Sequence, residues 1–214
     1  MIKAIIFDMD GVLVDAKEWH YNALNKSLGL FGYTISRYDH LVTYDGLPTN
    51  KKLEMLTLDS GLPRGLHSFI NELKQNYTME YVYTKCNPAF YHEYALARLK
   101  AEGYRLAVAS NSVRQTVDLM MKKSNLGQYL EFTLSNQDVK KCKPDPEIYN
   151  CAINKLNLSP EECLIVEDNQ NGIKAALASK GKLMTVKTPE DVNYTNIISH
   201  IYKENTVKKV EITK

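Results

Sequence analysis

Three short runs of apolar residues constrain the fold most, because each one ends abruptly at a polar residue. The runs are residues 3–7 (Lys-Ala-Ile-Ile-Phe), 105–109 (Arg-Leu-Ala-Val-Ala) and 163–166 (Cys-Leu-Ile-Val). Aliphatic runs of about four to six residues without alternation are typical of strands that are covered on both faces. Weaker runs at residues 129–134 and 183–186 predict two further strands. The sequence therefore predicts a buried parallel sheet.

Helical patterns fill the segments between the predicted strands from residue 88 onward. They cover residues 88–102, 116–123, 145–156 and 171–179. Regular alternation of strand and helix is the pattern of an α/β protein. We therefore expect a doubly wound, Rossmann-like parallel sheet with helices on both faces.

The segment between the first two strong runs breaks this alternation. It has helical patterns at residues 17–30, 49–58 and 66–77 and no convincing strand pattern. A long helical segment inserted after the first strand predicts a separate subdomain. We expect a helical cap at residues 16–85 and an α/β core made of residues 1–15 and 86–214.

Composition narrows the partners. The chain has 214 residues, with 27 Lys and Arg against 25 Asp and Glu, and a net charge of +2. Such a balance argues against nucleic acid as a partner. No apolar run approaches the roughly 18 residues of a membrane span, and the N-terminus lacks a signal-peptide pattern. We expect a cytoplasmic protein that binds no membrane, is a monomer or weak homodimer, and keeps its four cysteines as free thiols.

Polar side chains follow each strong strand, and ligands of open parallel sheets bind at that edge. The first strand is followed by Asp8 and Asp10, and the intervening loop carries Lys143. The residues after the other two strands are Ser110, Asn111, Ser112, Glu167 and Asp168. We expect four carboxylates, a hydroxyl and an ammonium to meet there.

Such a set favours one kind of chemistry. Close carboxylates raise each other's pKa unless a cation is present, and oxygen-only ligands suit Mg²⁺. A metal ion, a lysine and a hydroxyl together neutralise a transferring phosphoryl group, and a carboxylate can serve as its nucleophile. Glycoside hydrolysis instead uses two carboxylates that flank a sugar and needs no metal. The sequence therefore favours phosphoryl transfer.

Each residue taken alone has a plainer interpretation. An acidic residue or Ser110 after a strand is often only a helix cap or turn former, and Lys143 alone would be a solvated surface lysine. Asp8-Met9-Asp10-Gly11 also resembles the start of a calcium loop, but that loop needs glycine at its sixth position and Gly11 is the fourth residue. The joint occurrence in this order favours the functional interpretation.

These residues resemble the motifs of the haloacid dehalogenase superfamily. Residues 7–15 (Phe-Asp-Met-Asp-Gly-Val-Leu-Val-Asp) are similar to its first motif, and residues 110–112 to its second. Lys143-Pro144 is similar to the third motif and residues 167–172 to the fourth. The helical insertion resembles the small cap of the branch that contains β-phosphoglucomutase and sugar-phosphate phosphatases.

The resemblance implies a role for each acidic residue. Asp8 is expected to be the nucleophile, and Asp10 the general acid that then becomes the base for water. Mg²⁺ is expected to bind Asp8, the backbone carbonyl of Asp10, and Asp168, with Glu167 as a ligand or a support. Dehalogenating members lack an acid at the position of Asp10, so the resemblance implies phosphomonoester chemistry.

The resemblance also assigns the phosphate site and the cap. Ser110 and the amide of Asn111 are expected to bind phosphoryl oxygens, while Lys143 offsets the negative charge. His20 is similar to a cap histidine of β-phosphoglucomutases that positions the general acid. Other candidates for substrate contact are Tyr44, Gly46, Leu47, Thr49, Asn50 and Lys52.

The choice between phosphatase and mutase depends on an arginine. Mutases of this family grip a second phosphate with a cap arginine, and here Thr49 or Asn50 falls at that place, followed by Lys51 and Lys52. Lysine does not reproduce the guanidinium fork. We therefore expect a Mg²⁺-dependent phosphatase for a small phosphomonoester such as a sugar phosphate. A phosphosugar mutase is the alternative, and a non-catalytic protein that binds a phosphorylated ligand is a third possibility.

Overall fold

Five parallel strands form the centre of the molecule. The structure is a computed structural model that describes residues 1–211, with side chains as far as Thr206. The strands are β1 (Ala4–Phe7), β2 (Arg105–Ala109), β3 (Phe132–Leu134), β4 (Cys163–Glu167) and β5 (Lys182–Thr185). Their order across the sheet is β3-β2-β1-β4-β5. The predicted α/β, Rossmann-like fold is confirmed, and β1 is the central strand.

Helices account for most of the remaining chain. Four lie between β1 and α5: α1 (Lys17–Gly29), α2 (Arg37–Asp39), α3 (Thr49–Ser60) and α4 (His67–Lys85), with a π-helical turn at His40–Tyr44. Five lie around the sheet: α5 (Phe90–Ala101), α6 (Arg114–Lys123), α7 (Glu147–Lys155), α8 (Gln170–Ala178) and α9 (Tyr194–Glu211). No helix of the described residues is long and apolar enough to span a membrane.

The sheet is buried on both faces, as the unalternated apolar runs predict. Successive side chains of a strand point to opposite faces. Ile5 and Phe7 therefore join one hydrophobic cluster, which includes residues of α5, α6 and α9. Ala4 and Ile6 join a second cluster with residues of α7 and α8. The sheet is thus covered by helices on both faces.

The segment between β1 and α5 has a hydrophobic cluster of its own. Leu24 and Leu28 of α1 pack with Leu53 of α3 and Ile70 of α4, and all four are buried. We call α1 to α4, residues 17–85, the helical insertion. Within it the structure contains no strand, as the sequence predicts.

The structure differs from the sequence-based expectation mainly at the ends of elements. The helix predicted at residues 66–77 continues to Lys85, and the strand predicted at 129–134 is only Phe132–Leu134. Helix α9 was not predicted, because its mixed sequence gives a weak amphipathic pattern; only tertiary contacts bury Ile197 and Ile201. Residues 212–214 of the predicted core lie outside the described residues.

Candidate active site

Asp8, Ser110 and Glu167 lie together at the carboxyl edge of the sheet. The register pairs Phe7 of β1 with Val108 of β2 and with Val166 of β4. Asp8 directly follows β1, Ser110 directly follows β2, and Glu167 is the last residue of β4. The backbone N–H of Asp8 donates to the carbonyl of Val166 at 2.9 Å. The side chains of Asp8, Ser110 and Glu167 are all buried.

Lys143 joins Asp8, the nucleophile candidate, to Glu167 at the end of β4. Its ammonium donates to Asp8 Oδ1 at 2.6 Å and to Glu167 Oε1 at 2.7 Å, and it is 1% exposed. Asn111 holds the lysine backbone from both sides, since Lys143 N donates to Asn111 Oδ1 at 3.0 Å and Asn111 Nδ2 donates to Lys143 O at 3.2 Å. The hydroxyl of Tyr149 also donates to Glu167. This buried lysine is therefore fixed rather than mobile.

The acidic cluster has more negative charge than its lysines neutralise. Burial raises the pKa of Asp8 well above its usual value; Lys143 opposes this change, whereas the carboxylates of Glu167 and Asp168 add to it. Burial would lower the pKa of Lys143, but Asp8 and Glu167 outweigh it and that pKa is raised. A further cation bound here would stabilise the ionised form of Asp8.

Three of these carboxylates could hold that cation. Oxygens of Asp8, Glu167 and Asp168 all lie within 4.8 Å of one another. Asp168 Oδ2 is buried and accepts no hydrogen bond of good geometry, although Lys17 Nζ is 2.5 Å away. Asp168 is therefore paired electrostatically with Lys17, and its carboxylate could still serve as a metal ligand. The donor set, oxygen only, fits Mg²⁺.

Two glycines leave room for the cluster. Gly11 has a φ of +89°, and a Cβ there would lie 2.2 Å from Asp168 Oδ2. A Cβ on Gly172 would lie 1.8 Å from Glu167 Oε1. Both separations are far below van der Waals contact, so these backbone positions admit the carboxylates only because no side chain is present.

Asp10 has different neighbours from Asp8. Its Oδ2 accepts from Ser112 Oγ at 2.8 Å and from Ser110 Oγ at 3.4 Å, while Oδ1 is 2.9 Å from His20 Nε2. Burial acts to raise the pKa of Asp10, but the contacts with His20 and Ser112 outweigh it, so the pKa is lowered. Asp10 is therefore an ionised carboxylate in the free protein.

Lys74 determines the tautomer of His20. Its ammonium lies 3.1 Å from His20 Nδ1. An ammonium can only donate, so Nδ1 accepts and Nε2 carries the proton that is donated to Asp10. Burial and the charge of Lys74 lower the pKa of His20, which keeps the imidazole neutral.

The helical insertion is closed over the carboxyl edge of the sheet. Asn111 Nδ2 donates to the carbonyl of Gly46 at 3.3 Å, and Asn171 Nδ2 donates to the carbonyl of Asp45 at 3.1 Å. Gly46 has a φ of +69°, and a Cβ there would lie 2.7 Å from Asn169 Oδ1. The loop after the π-helical turn is thus held against the core by hydrogen bonds to its backbone carbonyls.

A cavity of about 320 Å³ lies between the insertion and the core. Among the predicted residues, its lining includes Asp8, Asp10, Ser110, Asn111 and Lys143 from the core and His20, Gly46, Leu47, Thr49, Asn50 and Lys52 from the insertion. Glu167 and Asp168 lie behind this lining. Tyr44 differs from the expectation, because it packs in the hydrophobic cluster of the insertion instead.

Several lining residues were not anticipated from the sequence. They include Lys17, His40, Asn71, Lys74, Gln75 and Asn136. One signal was available: Asn71, Lys74 and Thr78 interrupt the face of α4 that also carries Ile70, at the three- and four-residue spacing of a helix. Polar residues on an otherwise apolar face indicate a buried polar site.

The family model for haloacid dehalogenase-like hydrolases matches residues 5–186, which is most of the chain. The chain belongs to this family. This haloacid dehalogenase-like hydrolase is 29% identical over 180 residues to a phosphorylated carbohydrates phosphatase of Thermotoga maritima, covering 82% of this chain and 80% of that protein. It is 28% identical over 183 residues to pyrophosphatase PpaX of Bacillus velezensis, covering 81% and 78%.

A solved structure has the same fold as this haloacid dehalogenase-like hydrolase. The crystal structure of β-phosphoglucomutase from Clostridium difficile matches with a TM-score of 0.83 at 21% identity, covering 97% of this chain and all 100% of that one. At this level of sequence identity the similarity shows the fold alone. The chain is therefore an enzyme of the haloacid dehalogenase-like hydrolase family, and its two relatives named above are a phosphatase and a pyrophosphatase.

Proposed function

We propose that this enzyme hydrolyses a small phosphomonoester, such as a sugar phosphate, through an aspartyl-phosphate on Asp8. The observation that carries the proposal is a pair of carboxylates two residues apart with different partners: Asp8 accepts from Lys143, whereas Asp10 accepts from Ser112 and His20. Two such groups in different environments suit separate roles, one as nucleophile and one as acid and base. Both line the cavity under the helical insertion.

In the first step a carboxylate oxygen of Asp8 attacks phosphorus and the bond to the ester oxygen breaks. That oxygen leaves with the proton that Asp10 supplies. In the second step Asp10 accepts a proton from water, whose oxygen attacks phosphorus and releases Asp8 with inorganic phosphate. Ser110 and the amide of Asn111 bind the phosphoryl oxygens.

Asp10 must gain a proton before it can act as the acid. The carboxylate is ionised in the free site, because its pKa is lowered. A dianionic phosphate that enters the cavity would raise the pKa of Asp10 by like-charge repulsion, so that its carboxylate takes up a proton from solvent before the first step. The hydrogen bond from His20 keeps the carboxylate aimed at the cavity throughout.

Asp8, Asp168 and the backbone carbonyl of Asp10 are the proposed Mg²⁺ ligands, with Glu167 as a ligand or support. The bound ion would neutralise charge between the nucleophile and the phosphoryl group. Lys143 contributes a positive charge to the same region, with one hydrogen bond that orients Asp8 and a second that holds Glu167. The chain thus places a fixed cation on one side of the nucleophile.

The helical insertion and its flanks, residues 16–85, are proposed to act as the cap, and the core is proposed to be residues 1–15 and 86–214. In the cap, His20, Gly46, Thr49, Asn50 and Lys52 face the cavity and are proposed to contact substrate. No arginine of the described residues lines that cavity, which favours a phosphatase. The alternative mutase is favoured by two lysines of the cap, Lys52 and Lys74.

We expect Asp8→Asn to abolish turnover while the protein stays folded. The amide is isosteric with the carboxylate but is not a nucleophile, so phosphate release should fall by more than about a thousandfold. Phosphate release from sugar, polyol and nucleotide monophosphates, with Mg²⁺ and with a chelator, measures this. Circular dichroism checks the fold. Activity retained in Asp8→Asn would exclude the mechanism.

The Asp10→Ala variant tests the general-acid role of Asp10 independently of the nucleophile Asp8. With a sugar phosphate the loss should be about 10²–10⁴-fold, because the alkoxide needs a proton. With p-nitrophenyl phosphate the loss should be much smaller, because the leaving phenolate is stable. Steady-state kinetics on the two esters give the comparison. Equal losses on both would contradict the acid role.

A further inference from the structure

Tyr149 is a buried polar residue that no step of the proposed hydrolysis uses. It lies on α7, is fully buried, and packs in the hydrophobic cluster that also contains Ala4 and Ile6. A phenylalanine would fill the same space without a polar atom, whereas a buried phenol needs a hydrogen-bond partner. The hydroxyl of Tyr149 donates to Glu167 Oε1. This hydroxyl therefore serves the acidic cluster and is not needed to fill the core.

The ring of Tyr149 contacts the lysine that holds the proposed nucleophile. Lys143 Nζ lies 4.7 Å from the centre of the ring, within the roughly 6 Å at which an aromatic face attracts a cation. The ammonium has three donors, and it uses two of them on Asp8 Oδ1 and Glu167 Oε1. Tyr149 therefore contacts both members of one buried ion pair, Lys143 with its ring and Glu167 with its hydroxyl.

The carboxylate of Glu167 has donors on both of its oxygens. Oε1 accepts from Lys143 Nζ at 2.7 Å and from the hydroxyl of Tyr149. Oε2 accepts from the backbone N–H of Asp168 at 3.1 Å and from Asn169 Nδ2 at 3.4 Å. A carboxylate has about four acceptor sites, so Glu167 can bind a metal directly only if it loses one of these donors.

We propose that Tyr149 is a positioning residue that prevents Glu167 from binding the metal directly and holds Lys143 against Asp8. The inference rests on the proposed function, and of the two roles proposed for Glu167, ligand or support, it selects support. The hydroxyl occupies an acceptor site of Oε1 that would otherwise be available to a cation. The ring restrains the ammonium of Lys143 between its two carboxylates.

The first test is Mg²⁺ binding by calorimetry, without substrate, to the wild type and to Tyr149→Phe. Phenylalanine keeps the ring and removes the hydroxyl, so one acceptor site of Glu167 becomes available to the ion. We expect Mg²⁺ to bind Tyr149→Phe about 3–10 times as tightly, as the loss of one competing hydrogen bond implies. If Glu167 were instead a ligand that Tyr149 orients, the variant would bind Mg²⁺ about 10–100-fold more weakly. Weaker or unchanged binding, or binding by neither protein, overturns the proposal.

Tyr194 provides a matched control at the surface. Its hydroxyl donates to Glu102 Oε1, which also accepts from Arg98 Nη2 at 3.1 Å. The guanidinium of Arg98 lies 5.0 Å from the centre of the Tyr194 ring. A tyrosine, a glutamate and a cation thus meet there as they do around Tyr149. Tyr194→Phe should leave the Mg²⁺ affinity and kcat at their wild-type values, and equal changes in the two variants contradict the proposal.

Glu167→Gln tests whether the hydroxyl of Tyr149 acts through Glu167. When residue 167 is already glutamine, Tyr149→Phe should change the Mg²⁺ affinity by less than about twofold, because the carboxylate through which it acts is gone. Calorimetry on the double variant and on Glu167→Gln alone gives this comparison. A change as large as the one in the wild-type background overturns the proposal.

Steady-state kinetics and thermal unfolding separate positioning from a structural role. In Tyr149→Phe the kcat for phosphate release should fall about tenfold or more, while KM changes less than about twofold, because Lys143 and Glu167 are no longer held in one arrangement. A lower Tm with kcat unchanged, or a Tyr149→Phe chain that does not fold, would show a structural role and overturn the proposal. The Mg²⁺ measurements need no turnover, so failure of the proposed hydrolysis, seen as no phosphate release by the wild type, is recognised separately.

Discussion

Asp8 and Asp10 illustrate how neighbours, rather than residue type, determine the properties of a carboxylate. Asp8 shares a buried cluster with Glu167 and Asp168, and burial raises its pKa despite the contact with Lys143. Asp10 accepts from a serine and a histidine, and its pKa is lowered. Because the two residues are separated by a single position, both environments are built at the end of one strand.

Lys17 is expected to compete with Mg²⁺ for the carboxylate of Asp168. Its ammonium lies against the buried Asp168 carboxylate, beside the three oxygens that could bind Mg²⁺. Lys17→Ala should lower the Tm by about 2–4 °C in a chelator, as expected for about 1 kcal/mol in a chain of this size. It should also increase the stabilisation that added Mg²⁺ provides, because an internal competitor is gone.

Thermal unfolding with chelator and with Mg²⁺ measures both effects for Lys17→Ala. Lys26→Ala is the matched control, since Lys26 lies on the same helix and pairs with Glu80 at the surface. The expectation is wrong if Mg²⁺ stabilises the Lys17→Ala and wild-type proteins to the same extent.

Among the helices, α8 can lie beside Glu167 only because its residue 172 is a glycine. A methyl group on Gly172 would overlap Glu167, which Lys143 and Tyr149 hold in place. We expect Gly172→Ala to lower the free energy of unfolding by about 1–3 kcal/mol and to reduce activity as Glu167 is displaced. Urea unfolding measures the change. Gly29→Ala on α1 meets no atom within 4 Å and should be near neutral; similar losses in both variants would refute the steric explanation.

Sequence reasoning succeeded for elements whose pattern is local. The β1 and β4 runs end at acidic residues, and this abrupt change identified both the strands and the residues that follow them. It did not identify α9 or the role of Lys74. Ile201 is buried only by residues distant in sequence. Lys74 contacts His20, which lies 54 positions earlier in the chain. Such contacts leave little trace in a single sequence.

For the whole molecule, closure of the insertion over the core depends on few hydrogen bonds. The bond from Asn171 to the carbonyl of Asp45 spans 126 positions and joins α8 to the cap loop. One such bond is worth about 0.5–1.5 kcal/mol. Asn171→Ala should therefore raise KM by about 2–10-fold, because the closed state becomes less populated.

Steady-state kinetics on the best substrate of the panel measure this effect of Asn171→Ala. The control is Asn154→Ala, an exposed asparagine on α7. A fall in kcat with KM unchanged would point to damage at the reacting groups instead of weaker closure.

The central position of β1 also has a consequence for the order of folding. Asp8 and Lys143 meet across 135 positions, and Glu167 comes later still. During synthesis β1 is made first, but its neighbour β4 emerges only after the insertion, β2 and β3. The helical insertion can form early from nearer contacts, whereas the acidic cluster forms only after closure of a very long loop. A nascent chain that stops before β4 lacks Glu167 and Asp168 and cannot assemble the cluster, so the proposed site is complete only after β4 has been synthesised.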